Sequence, residues 1–158
     1  MDYDYEFTID CEPRGQGRPR ARIVQSNDRK MKPFVSVYDD PKDKKAKCLF
    51  ALAAREFAPK KLIDQAIRVD TTFYMPRPKL HYGTGKNADK LKDRYVNIYH
   101  TKKPDIDNLS KLVMDALTGV IWTDDSIVCK GFTEKVYARK PRVEVKIKLL
   151  EETNVTLF

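Results

Sequence analysis

The chain has 158 residues, enough for one domain with its own core, and its 41% hydrophobic content excludes a fully disordered polymer. A net charge of +8 and a pI near 9.3 point to an anionic partner, of which nucleic acid is the commonest. No apolar run approaches the roughly 20 residues of a membrane span, and the acidic start Asp2-Tyr3-Asp4-Tyr5-Glu6 has no secretory apolar core, so the expectation is a cytoplasmic protein without a membrane partner.

From the N-terminus, Tyr3 to Asp10 alternates Tyr, Tyr, Phe and Ile with polar residues, the period of a half-buried strand. Pro13 to Pro19 is a Gly/Pro/Arg loop, and a hairpin is predicted to follow, with Ala21 to Val24 facing Pro33 to Tyr38. Asp43 to Phe57 spaces Leu49, Leu52, Ala53 and Phe57 as a helix does. Ala66 to Met75 reads as a strand with Ile67, Val69, Thr71, Phe73 and Met75 on one face. Residues 76–96 are polar and basic and read as a mobile loop. Gly83-Thr84-Gly85 within them is too short for a nucleotide-binding fingerprint, so turn glycines and no small-molecule cofactor are expected.

Asp107 to Thr118 carries the clearest helical pattern, because Leu109, Leu112, Val113, Ala116, Leu117 and Val120 recur on one face. Asp107 or Asn108 is a suitable cap at its start, and Gly119 suits its end. Val120 to Trp122 is a short apolar piece, Ser126 to Val136 continues as a strand, and Val143 to Leu149 alternates as a last strand. The order β-β-β-α-β-α-β-β predicts a single α/β (α+β) domain over residues 1–158, a mixed β-sheet packed with two main helices.

Positive charge is clustered. Pro13 to Lys32 holds seven Lys/Arg (Arg14, Arg18, Arg20, Arg22, Arg29, Lys30, Lys32) against one acid, Asp28. Arg77 to Lys103 holds eight against two, Asp89 and Asp93, which leaves the rest of the chain net acidic. Clustering of this kind suits phosphate contact better than solubility alone, and Arg14, Arg18, Arg20, Lys30 and Lys32 are candidates for it. The cysteines Cys11, Cys48 and Cys129 match neither a disulfide framework nor a zinc pattern and are read as buried, reduced thiols. His81 and His100 have no partner motif and are read as surface or structural residues, His100 as a possible neighbour of the acidic site.

That site is Lys103-Pro104-Asp105-Ile106-Asp107-Asn108-Leu109-Ser110-Lys111, followed by Trp122-Thr123-Asp124-Asp125. Asp105 and Asp107 project to the same side of an extended segment, and Asp124-Asp125, after one helix and a tight return, is expected to come back beside them. Converging carboxylates are unfavourable without a cation between them, and would repel a scissile phosphate. Mg²⁺ or Mn²⁺ resolves both problems, since hard oxygen ligands suit these ions. Each acidic pair alone is equally compatible with helix capping or a turn. Lys111 lies four residues from both Asp107 and Asp115, so it suits either an ordinary helix-surface ion pair or a place near the scissile phosphate.

Asp105-Ile106-Asp107-Asn108-Leu109-Ser110-Lys111, then Met114-Asp115-Ala116-Leu117, then Ile121-Trp122-Thr123-Asp124-Asp125-Ser126-Ile127-Val128 resembles the signature of the RusA family of Holliday junction resolvases. Arg18-Pro19-Arg20 and the tail strand resemble that family too. The resemblance implies a small homodimer of mixed α/β fold, encoded by many prophages and phages. It implies resolution of four-way DNA junctions by paired symmetric nicks, in recombination and repair, with Mg²⁺ or in its place Mn²⁺. It implies metal binding by Asp105, Asp107 and Asp125, with Asp124 a weaker candidate, and an essential role for Lys111. Pro104 stands where some members carry a basic residue, which moves that charge to Lys102 and Lys103, two further candidates for DNA contact. The basic stretch Arg77 to Arg94 is longer than the compact pattern, which bears on substrate choice. Two other readings share these features: a flap or fork nuclease, and a non-catalytic structure-specific DNA-binding protein.

Overall fold

The computed structural model describes residues 2–25 and 32–151. Its strands are β1 (Tyr5–Ile9), β2 (Arg20–Val24), β3 (Phe34–Tyr38), β4 (Ile67–Pro76), β5 (Val128–Ala138) and β6 (Arg142–Leu149), and its helices are α1 (Pro41–Ala54) and α2 (Ile106–Leu117). The predicted order of elements is the observed one.

Four strands form one sheet in the order β1-β6-β4-β5. β6 pairs antiparallel with both β1 and β4, and β4 pairs parallel with β5, so the sheet is mixed. A parallel pair needs a long crossover, and here it contains the basic segment and α2. β2 and β3 form a separate antiparallel hairpin.

Alternation along β4 and β6 buries Ile67, Val69, Phe73 and Met75 with Val143, Val145 and Ile147. Against them α2 buries Leu109, Leu112, Val113, Ala116 and Leu117, and α1 adds Phe50 and Ala54. Each fully buried aliphatic side chain contributes about 1.5–3 kcal/mol of transfer free energy, so this seam fixes α2 on the sheet. The other side of β4 is polar. Asp70 there accepts hydrogen bonds from Arg68, the Tyr3 hydroxyl and the Phe132 N–H.

Two local expectations change, the cap of α2 and the burial of the cysteines. α2 is capped by Asp105, whose extended backbone (φ −72°, ψ 150°) precedes the first helical residue and whose carbonyl accepts from the Leu109 N–H, rather than by Asp107 or Asn108. Residues 76–96 run as turns and short 3-10 helices, anchored where His81 stacks on Tyr95 at 4.2 Å and meets Tyr137 edge-on, and where Arg77 donates to the Tyr95 carbonyl. His81 and His100 are thus both buried, because the aromatic ring of Tyr137 on β5 gives both imidazoles a face to cover. Among the cysteines, all free thiols, Cys48 and Cys129 are exposed rather than buried, and only Cys11 is half-covered, its thiol pushed up to about 11 by burial.

Candidate functional site

Asp105 and Asp107 project from the start of α2 into solvent, and both are exposed. Among the described residues neither carboxylate accepts a hydrogen bond or joins an ion pair, so Asp105 caps the helix through its backbone only. Two uncommitted carboxylates two residues apart at a helix start suit a hard divalent cation, which needs only one or two protein oxygens beside water and phosphate. Lys111 is exposed one turn further along, and among the described residues it pairs with neither Asp107 nor Asp115.

The segment before the helix is held from two directions. Lys135 on β5 donates from Nζ to the carbonyls of Lys102 and Pro104, both at 2.8 Å. The Lys103–Pro104 peptide between them is cis. From the other side the Gly/Pro/Arg loop seats on the motif: the Gln16 N–H donates to the Asn108 carbonyl at 2.9 Å. Gly15 is so close that a Cβ there would lie 2.8 Å from Pro104 Cβ and 3.2 Å from Asn108 Cβ. That loop is in turn tied to α1, where buried Asp43 accepts from Arg14 Nε at 3.0 Å and the Gly17 N–H at 2.8 Å. Burial pushes the Asp43 carboxyl up, but the Gly17 N–H and Arg14 outweigh it and hold the group below the usual carboxylate range.

The structure therefore brings together two features far apart in sequence, the arginine loop and the D-x-D-N segment. Arg18 is exposed in that loop, and Arg20 opens β2, paired with Asp40 at 3.1 Å and still 65% exposed. Lys102 and Lys103 are exposed beside Pro104, and Lys32 is exposed ahead of β3. Lys30 lies outside the described residues.

Asp124 and Asp125 do not come back beside the first pair, contrary to expectation. α2 has twelve residues, which at the helical rise spans about 18 Å. Its far end turns at Gly119 (φ 79°) into buried Ile121 and Trp122, and the Trp122 indole N–H donates to Thr118 Oγ1 at 3.1 Å. The Thr123 N–H then donates to the Ile63 carbonyl, and Val128 pairs with Ile67 at the start of β4. β5 must run roughly 23 Å from Val128 to reach Lys135 at the other end. Asp125 and the Asp105–Asp107 pair thus sit at opposite ends of α2, and among the described residues no group of three or more His, Cys, Asp or Glu is close enough to hold a metal. Asp124 is occupied locally: it accepts from the Ser126 N–H at 2.9 Å, and hydrogen bonding from the Ser126 side chain and then its N–H lowers the carboxyl's pKa. Asp125 is exposed and without such a bond among the described residues.

The profile of endodeoxyribonuclease RusA matches residues 10–148. The chain belongs to the RusA endodeoxyribonuclease family. It is also 36% identical over 143 residues to the uncharacterized protein YqaN of Bacillus subtilis (strain 168), covering 90% of this chain and 94% of that protein. The RusA match contains the arginine loop, the D-x-D-N segment, Lys111 and the Asp124-Asp125 pair.

Sequence reasoning missed several residues that shape this candidate site in the RusA-family chain. Lys135 carried no signal, since it lies 31 residues from Pro104 on a strand whose outer positions are mixed. Gly15, Gln16 and Asp43 read as loop and helix-start residues, and only their contacts show that they seat the arginine loop on the D-x-D-N segment. No helix is long and apolar enough to cross a membrane among the described residues.

Proposed function

We propose that this protein is a Mg²⁺-dependent, structure-specific endodeoxyribonuclease that resolves four-way DNA junctions by paired symmetric nicks, acting as a homodimer in recombination and repair, with Mn²⁺ able to replace Mg²⁺. The observation that carries the reading is the seating of the arginine loop on the D-x-D-N segment through Gln16 and Asn108. It brings an arginine-rich loop against the segment that carries two uncommitted carboxylates, a combination that suits a metal nuclease better than a purely binding surface.

In this reading Asp105 and Asp107 hold the ion, which when bound lowers the pKa of a water and stabilises charge on the phosphoryl oxygens. Lys111, one turn along the same face, lies near the scissile phosphate and offsets its developing charge. Arg18, Arg20, Lys32, Lys102 and Lys103 contact the sugar–phosphate backbone, and recognition rests on the shape of the branched DNA rather than on base edges. Arg14 is shared between backbone contact and its bond to Asp43.

The test is cleavage of a synthetic mobile four-way junction, with flapped, forked and linear duplexes alongside, in Mg²⁺, Ca²⁺ or EDTA, by wild type and Asp107→Asn. Symmetric paired nicks in the junction only, in Mg²⁺ only and by wild type only, are expected. Preferred cutting of flaps or forks would make the protein a different branched-DNA nuclease. Junction binding without cleavage in any metal would make it a binding protein.

A further inference from the structure

We infer that Tyr99 is a specificity residue for branched DNA: its ring stacks on a base that has left the helical stack beside the cleavage site, and the cavity next to it receives that base. This rests on the junction-cutting reading above and adds the contact that tells a branch point from plain duplex.

Tyr99 is 83% exposed, more than any other large hydrophobic side chain among the described residues. Neighbouring rings are engaged: Tyr95 stacks on His81 and lies under Arg94, and Tyr137 gives a face to both histidines. Tyr99 has no such partner among the described residues. The backbone holds it outward. Tyr99 forms an antiparallel bridge with Val136 of β5, and the next side chain, His100, is buried 4.7 Å from the Tyr137 ring. Successive side chains of an extended segment point to opposite sides, so burying His100 turns Tyr99 to solvent. A cavity of about 330 Å³ opens beside it, lined by Tyr99 with Arg77, Val96, Asn97, Ile98 and Tyr137. It is concave and partly apolar, with the Asn97 amide to meet a base edge, which suits a small flat ring.

The place is close to the chemistry. Lys135, adjacent to Val136, holds the carbonyls of Lys102 and Pro104, so the chain from Tyr99 to Asp105 is gathered on one short piece of β5. Even fully extended, that stretch spans at most about 21 Å, or about six base steps at about 3.4 Å each. Lys102 and Lys103, exposed between Tyr99 and the D-x-D pair, supply cations for the intervening phosphates. An exposed aromatic beside such cations is the composition of a surface that takes single-stranded nucleic acid. Duplex DNA presents only base edges in its grooves, whereas stacking needs a ring face. A branch point is where bases lose stacking neighbours, so extracting one there costs least. Every base has such a face, so the contact selects structure with little regard to sequence.

The test measures binding of Tyr99→Ala, Tyr99→Phe and Tyr99→Trp to a synthetic four-way junction and to a linear duplex in EDTA, where neither metal nor cleavage is needed. Tyr99→Ala should bind the junction about tenfold or more weaker, with duplex affinity and the slope of log K against log salt unchanged, because a lost stack releases no counterion. Tyr99→Phe should bind as wild type does, since the ring acts and not the hydroxyl. The chain's one tryptophan, Trp122, is fully buried, so Tyr99→Trp adds an exposed reporter, whose fluorescence the junction should quench and the duplex should not. Thermal melts check that all three variants fold. Unchanged junction affinity in Tyr99→Ala overturns the inference, as does quenching of Tyr99→Trp by duplex and junction alike. So does a loss shared by both DNAs with a smaller salt slope, which makes Tyr99 part of the phosphate-binding surface, or a changed mass of Tyr99→Ala by light scattering, which makes it a protein contact. Cleavage in Mg²⁺ is scored separately: a wild type that binds junctions without cutting them overturns the nuclease reading and leaves this contact standing.

Discussion

Lys135 Nζ lies 2.8 Å from the carbonyl oxygen of Pro104, the residue immediately before Asp105, and 2.8 Å from that of Lys102. One ammonium on β5 therefore fixes the backbone from which the D-x-D pair begins. Lys135→Met keeps the stem and removes both bonds. The expected outcome is a fall in the single-turnover cleavage rate of about tenfold or more, with junction affinity changed little, because a 1 Å misplacement is felt in chemistry before binding. Lys135→Arg should recover part of the rate. An equal loss in affinity and rate would mean that Lys135 acts on DNA directly.

Gly15→Ala tests the seating of the arginine loop. The added methyl would lie 2.8 Å from Pro104 Cβ and 3.2 Å from Asn108 Cβ, so the loop must lift from the motif. Overpacking of this kind costs about 1–3 kcal/mol. A lower Tm with cleavage reduced beyond what the unfolded fraction explains is the expected result of calorimetry and junction assays.

Asp105→Asn and Asp107→Asn should separate stability from activity. Neither carboxylate has a hydrogen-bond partner among the described residues, and Asp105 caps α2 through its backbone, so the Tm should move little. Cleavage should fall about a hundredfold or more if these groups hold the ion. Junction binding measured in EDTA should stay equal or tighten, since a negative charge facing phosphate has gone.

Salt dependence reports the cationic surface. Junction affinity should fall steeply with ionic strength, and Arg18→Ala or Lys103→Ala should each reduce the slope of log K against log salt by about 1 if each contacts one phosphate. Arg14→Ala should in addition lower the Tm, because Arg14 also binds Asp43 at 3.0 Å. A variant that weakens binding with no change in slope would place that residue away from the backbone.

Acid should destabilise the protein in two steps of the same sign. Burial lowers the pKa of His81 and of His100 from the usual 6.5, with nearby Arg77 and Lys135 adding to it, respectively. The unfolded chain then binds protons that the folded one refuses, so stability is full above about pH 6.5 and declines as pH falls below it. Burial raises the carboxyl of Asp70, but the Arg68 and Tyr3 side chains and the Phe132 N–H together hold it below the usual 3.8. Its contribution is therefore present above that value and is lost as pH falls further through the lowered pKa. Thermal melts from pH 7.5 to 3 check both steps, and His81→Phe with His100→Phe should flatten the first only.

Much of this molecule is legible from local pattern. Alternation placed Ile67, Val69, Phe73 and Met75 on one face of β4, and helical spacing placed Leu109, Leu112, Val113, Ala116 and Leu117 on one face of α2, because burial periodicity follows directly from backbone geometry. The D-x-D-N-L-x-K segment, the W-x-D-D segment and the order of elements were readable for the same reason: each is a property of adjacent residues. Tertiary structure alone decided what those segments meet. Sequence spacing sets the contour length between Asp107 and Asp125 but not the direction of the path, and a straight helix followed by buried Trp122 spends that length moving away. Likewise Lys135 and Gln16 reach the motif only because the sheet order and the arginine loop bring distant residues alongside it.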